Sequence, residues 1–223
     1  MVRWKIGLLL QLIVSVPIII LIRLIRPLVL IRVRPLSNRI GQFVGSTEIY
    51  LCQRDLGMHS GRIIDLFYFL RTVPNNFVKS KWQKQLHVHP FIYPLDRMNR
   101  MIPGGGSHVV PMPSIRDLNG YMEKAKIHFN FTQDEEDEGR AALESFGVPD
   151  GAPFVCFQAR DSAYLDERTG LRNQYAYHNY RDTDINTYLP AVNSLSELGY
   201  YALRMGAIVK SPVQSENPKI IDY

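Results

Sequence analysis

Residues 28–70 read "LVLIRVRPLSNRIGQFVGSTEIYLCQRDLGMHSGRIIDLFYFL". Leu28 to Leu36 mixes β-branched residues with alternating arginines and ends at Pro35, which reads as a strand or as the tail of the N-terminal apolar segment running into one. "SNRIGQFVGS" follows with two glycines. "TEIYLCQRDLG" places apolar side chains at Ile49, Leu51, Cys52 and Leu56 and then stops at Gly57, which reads as a helix. Arg62 to Leu70 reads as a second, buried strand. Strand, glycine-bearing loop, helix, strand is the βαβ pattern of a parallel sheet, so the expected class is α/β.

The pattern starts again further on. "FTQDEEDEGRAALESFGVPDGAP" carries a capping box, Thr132 with Glu135, and acids that suit the positive end of a helix. Gly147 and Pro149 mark the stop, which predicts a helix over about 133–146. "FVCFQARDSAYL", residues 154–165, then begins as an apolar strand over Phe154 to Gln158. Cys156 is expected to be a small buried hydrophobe within it. A helix is expected over 188–198, with Thr187 as its N-cap and Pro190 in its first turn. A strand "YYALRMG" and an apolar run "KIIDY" follow. Between these halves, "FVKSKWQKQL" has helical character, whereas "HVHPFIYPLDRM" and "IPGGGSHVVPMP" read as loop.

Charge divides the chain of 223 residues. Residues 1–131 hold 18 Lys+Arg against 6 Asp+Glu, and residues 132–223 hold 8 against 15. That split argues against a uniform nucleic-acid binder and for an end that faces anions or a membrane. "IGLLLQLIVSVPIIILI", Ile6 to Ile22, is uncharged for 17 residues, at the short end of what spans a bilayer. Arg23, Arg26, Arg32 and Arg34 follow it. More positive charge lies after the segment than before it, which places the body on the cytoplasmic side of a membrane. Cys52 and Cys156 form neither a disulfide framework nor a metal spacing. His87 and His89 would share one face of a strand but have no third ligand beside them, so no metal site is expected. "GGG", Gly104 to Gly106, reads as a plain loop.

Ligands of open parallel sheets bind beyond the carboxyl ends of the strands. Arg160, Asp161 and Ser162 fall at such an end. Arg160 offers the forked donors that suit a diphosphate, and Asp161 is placed to orient it or to accept from a hydroxyl. "YAYHNYRDTD", Tyr175 to Asp184, mixes tyrosines with His178, Arg181, Asp182 and Asp184, a composition suited to sugar or nucleotide contact. Tyr164 and Tyr180 join this set. Arg204 and Gly206 mark the end of the strand "YYALRMG". Arg39 and Gly41 mark the end of the first strand, where a glycine lets a ligand approach the backbone.

These blocks carry a resemblance. "RIGQFVGSTEIYLCQRDLG", "FVCFQARDSAYL", "YHNYRDTDINTYLPAVNSLSELGYYALRMGA" and "NPKIIDY" resemble, in order, the segments of a bacterial family of glycosyltransferases linked to surface-carbohydrate biosynthesis. "FQAR" is also similar to the H-x-R strand end of fucosyltransferase-like enzymes, in which the arginine meets the nucleotide diphosphate. Histidine is usual in the family where this chain has Gln42 and Gln158, so neither position offers a protonatable ring.

The resemblance implies two Rossmann-like lobes of the GT-B kind, the second lobe shortened. The expected divisions are a membrane-associated helix over 1–27, a first lobe over 28–131, a connecting helix and linker over 132–150, and the start of a nucleotide-sugar-binding lobe over 151–223. It further implies sugar transfer from a nucleotide-sugar to a glycan or lipid-linked acceptor, with no cofactor beyond that donor. Arg160 would meet the diphosphate, Asp161, Ser162, Tyr164, Tyr180, Arg181, Arg204 and Gly206 would line the site with Arg39 and Gly41, and His178 or Asp182 would be the general base. The alternative is a non-catalytic, membrane-tethered glycan-binding or scaffold lobe.

Overall fold

The computed structural model describes residues 2–59, 61–169 and 176–223; for residues 2–12, 165, 168 and 169 it describes the backbone alone. The chain is mixed α/β and divides into two compact units, Met1–Asn130 and Phe131–Tyr223.

The first unit runs α1 (Val2–Leu24), β1 (Leu30–Leu36), α2 (Thr47–Asp55), β2 (Ile63–Phe69), α3 (Asn76–Gln85), β3 (His87–Val88), α4 (Ile92–Met101) and the short α5 (Tyr121–Lys124). The three strands form a parallel sheet in the order β1-β2-β3, with Leu30 opposite Ile63 and Leu36 opposite Phe69. Successive strand residues point to opposite faces, and the core divides accordingly. Leu36 and Phe67 pack on one face with Phe43, Tyr50, Leu51, Val78 and the fully buried Trp82. Val33 and Tyr68 pack on the other with Ile19, Ile22, Ile92 and Leu95. Helices therefore cover both faces of this sheet.

The second unit runs α6 (Gln133–Ser145), β4 (Phe154–Phe157), α7 (Ala163–Thr169), α8 (Leu189–Glu197), β5 (Tyr201–Arg204) and β6 (Ile220–Asp222). Its sheet is parallel, in the order β4-β5-β6. Phe157, Ile185, Val192, Ala202 and Ile220 form its core. The capping box stands as read: Thr132 Oγ1 accepts from the Glu135 amide, and Glu135 accepts from the Thr132 amide at 2.7 Å.

Several expectations are corrected. α4 is a helix where loop was expected. Pro94 lies in its first turn, where a missing N–H costs nothing, and Ile92 and Leu95 share its buried face. Gly105 is not in a loose loop: a Cβ there would lie 2.0 Å from the Asn99 carbonyl oxygen, so the chain packs too closely for a side chain. Cys156 and Phe154, the latter 44% exposed, share the open face of β4, whereas Val155 and Phe157 on the other face pack on the core. The N-cap of α8 is Tyr188 rather than Thr187, which lies in a preceding 3-10 turn.

The C-terminal part of the N-terminal apolar segment is held by contacts within the first unit. α1 packs Ile19 and Ile22 against Ile92 and Leu95 of α4. Arg23 holds it there, donating to the carbonyl of Pro103 at 2.7 Å and to Asn99 Oδ1 at 3.1 Å. Arg32 is buried against Asp65, and Arg34 donates to the Val110 carbonyl at 2.7 Å. Three of the four arginines after the apolar stretch therefore serve internal contacts. Among the described residues no helix is long and apolar enough to cross a membrane. The stretch from Ile6 to Leu12 lies outside the described side chains.

Candidate functional site

β4 ends at Phe157, and the chain leaves the sheet through Gln158, Ala159 and Arg160. The Met205 amide donates to the Phe157 carbonyl at 2.8 Å, which keeps the exits of β4 and β5 side by side. The Thr183 amide donates to the Arg160 carbonyl at 3.0 Å and brings the 176–184 segment to the same edge. The sheet topology thus gathers one set of sequence-selected residues.

Arg160 sits at the centre of that set. Its Nη1 donates to the His178 carbonyl at 3.0 Å and forms an ion pair with the Asp182 carboxylate. Both side chains stay about one-third exposed, at 32% and 27%. Asp161 does not orient Arg160. Its Oδ1 accepts from the Ala163 amide at 2.9 Å, at the start of α7, and its Oδ2 accepts from the Lys210 amide at 2.9 Å. It ties the loop after β5 to the loop after β4. Asp182 takes the role that adjacency suggested for Asp161.

Arg204 closes β5. It is 2% exposed and pairs with Asp222 of β6 at 3.4 Å. Its Nη2 donates to the Ser211 carbonyl at 3.4 Å, and its buried Nε has no hydrogen-bond partner. Gly206 follows with φ +143°, where a Cβ would lie 2.9 Å from Val209 Cγ1. Both the backbone and the space there require glycine. Asp222 is a residue of this edge that the sequence reading did not single out. Asp222 was legible only as part of an apolar terminal strand. Its second oxygen accepts from the Val213 amide at 3.0 Å and so fixes the loop after β5.

The remaining residues are more loosely placed. Tyr164 is 39% and Tyr180 76% exposed. The Tyr180 hydroxyl accepts from Arg181 Nε at 2.9 Å, with the Arg181 guanidinium over the ring. The His178 ring lies against Tyr177, with centroids 4.0 Å apart. The Ser162 carbonyl accepts from the Asp166 amide at 3.0 Å inside α7's first turn. Tyr175 lies outside the described residues. Arg39 and Gly41 belong to the first unit, on exposed backbone after β1. Gly41 has helical φ −60°, and a Cβ there would meet nothing within 4 Å, so its conformation does not require glycine. A cavity of about 380 Å3 lies apart from this set, against α6 and the loop into β4 at Arg140, Leu143, Val148 and Phe154.

The partly exposed Arg160 guanidinium, the ends of neighbouring parallel strands and a glycine-bearing loop make an arrangement suited to an anionic ligand. No family model, no curated protein and no solved structure matches the chain.

Proposed function

We propose that this chain is a glycosyltransferase that moves a sugar from a nucleotide-sugar donor to a glycan or lipid-linked acceptor in surface-carbohydrate biosynthesis. On this reading the two units are Rossmann-like lobes of the GT-B kind, and the second holds the donor. The observation that carries the reading is Arg160: it stands just past the carboxyl end of β4, with its guanidinium oriented by Asp182 and by the His178 carbonyl.

Arg160 would neutralise the diphosphate as it leaves, an interaction that strengthens as charge develops. Asp182 keeps the guanidinium in place until the anion arrives. The exposed rings of Tyr177 and Tyr180 are placed to meet the base or the sugar. His178 would take the acceptor's proton in an inverting transfer. The exposed face of α1, with Ile13, Val14, Ile20, Leu21 and Leu24, would lie on the cytoplasmic side of a membrane, where lipid-linked acceptors are met.

The test is binding of nucleoside diphosphates to the full chain, measured by calorimetry. Arg160→Ala is expected to weaken binding at least tenfold, about 1.4 kcal/mol, and Arg160→Lys to restore it only in part, because an ammonium lacks the fork. The pairing of Arg160 with Asp182 also favours a second reading, a non-catalytic membrane-tethered glycan-binding or scaffold lobe in which the pair is structural. That reading predicts glycan binding without any dependence on nucleotide.

A further inference from the structure

α2 presents Glu48 and Cys52 one turn apart on a single face, with Asp55 three residues on. All three point toward His128, which lies 80 positions from Glu48 and is 7% exposed. Glu48 and Cys52 are 5% and 1% exposed. One ligand-type atom each from Glu48, Cys52 and His128 falls within 4.8 Å of the others. Glu48 Oε1 lies 3.1 Å from His128 Nδ1 and 4.0 Å from Cys52 Sγ.

Two details set this cluster apart from an ordinary buried ion pair. His128 has a carboxylate oxygen at each nitrogen: Glu48 Oε1 at Nδ1 and Asp55 Oδ2 at Nε2, the latter at 3.2 Å. A neutral ring donates through one nitrogen only. Donation from Nε2 to Asp55 leaves the Nδ1 lone pair facing an acceptor, a conflict that either a proton on Nδ1 or a metal cation between the two atoms resolves. Meanwhile Glu48 Oε1 also accepts from the His128 amide at 2.8 Å, whereas Glu48 Oε2 is buried with no hydrogen-bond partner. A buried carboxylate oxygen left without a donor is costly.

We infer that Glu48, Cys52 and His128 form a binding site for a divalent metal ion of the zinc class, with Asp55 orienting the His128 ring from behind. A thiolate, an imidazole and a carboxylate are the donor set zinc takes. Tetrahedral zinc, with bonds of about 2.0–2.3 Å, separates its ligand atoms by about 3.3–3.6 Å; on binding, the 4.0 Å between Cys52 Sγ and Glu48 Oε1 shortens and the 3.1 Å between Glu48 Oε1 and His128 Nδ1 lengthens. Carboxylate, histidine and metal in line is the usual way such a ring is fixed. Sequence spacing could not flag the site, because its histidine comes from a different part of the chain.

The full chain, stripped of metal with a chelator, would be titrated with Co2+ and then Zn2+. One equivalent is expected to bind with a thiolate-to-cobalt charge-transfer band in the near ultraviolet, bleached by zinc. The band should vanish in Cys52→Ser and persist in Cys156→Ser. Asp55→Asn should bind about 10–100-fold more weakly. Circular dichroism of each variant checks folding. Absence of stoichiometric binding, or a band that follows Cys156, overturns the site.

Discussion

Arg32–Asp65 in the first unit and Arg160–Asp182 in the second are arginine–aspartate pairs that differ in burial. In the first unit Arg32 and Asp65 face each other in strand register, joined by two hydrogen bonds of 2.6 and 2.8 Å. Their side chains are 8% and 2% exposed, and Tyr50 donates to the same carboxylate. Burial, together with Asp65, holds the Tyr50 phenol above its ordinary range. In the second unit Arg160 and Asp182 meet outside the sheet, each about one-third exposed. A pair sealed in the core fixes the fold, since neither member can find another partner. A pair at a strand's carboxyl end keeps its guanidinium within reach of a ligand.

That contrast breaks most readily at Asp65. Asp65→Ala leaves Arg32 buried and uncompensated, and should destabilise the chain by about 3–5 kcal/mol, read by urea unfolding of the first unit's signal. A loss under about 1 kcal/mol would mean the pair does not specify the fold. Next in size is the cap of α6. Thr132→Ala removes the acceptor for the Glu135 amide and should cost about 1 kcal/mol, whereas Thr132→Ser should cost little.

Asp182→Ala sharpens the comparison from the other side. An exposed pair contributes about 0–1 kcal/mol, so unfolding should barely move, while nucleoside-diphosphate affinity should change. A large loss of stability would place Asp182 with Asp65 rather than opposite it. The smallest effect lies beside the buried pair. Burial, and then the charge of Arg32, hold His59 below its ordinary range. The unfolded chain therefore takes up that proton first. Stability is fully present above about pH 6.5 and falls as the pH drops below it. His59→Gln should flatten that slope in pH-dependent unfolding.

Much of the fold was legible because it is written locally. The βαβ period over residues 28–70 and the capping box at Thr132 depend on neighbours within one turn or one strand. The misread features depend on partners far along the chain. Cys156 is exposed because it lies on the open face of β4, and which face a neighbour covers is not encoded within a four-residue apolar run. Arg23 looked like a flanking charge, but its partners Asn99 and Pro103 lie 76 and 80 residues away. At the candidate site the cluster was found but its pairing was not. Asp161 is next to Arg160 in sequence, yet its oxygens satisfy backbone amides on two loops, which leaves Asp182 as the partner. α4 was hidden by Pro94, whose place in the first turn shows only once the helix start is known.

The most direct measurement is the affinity of the full chain for nucleoside diphosphates, compared with that of Arg160→Ala at matched stability. Binding that falls at least tenfold in the variant, with unfolding unchanged within about 1 kcal/mol, is the result expected of an arginine that holds the leaving diphosphate. Equal affinity in both chains, or no nucleotide binding in either, would contradict the assignment of Arg160 and with it the proposed sugar transfer.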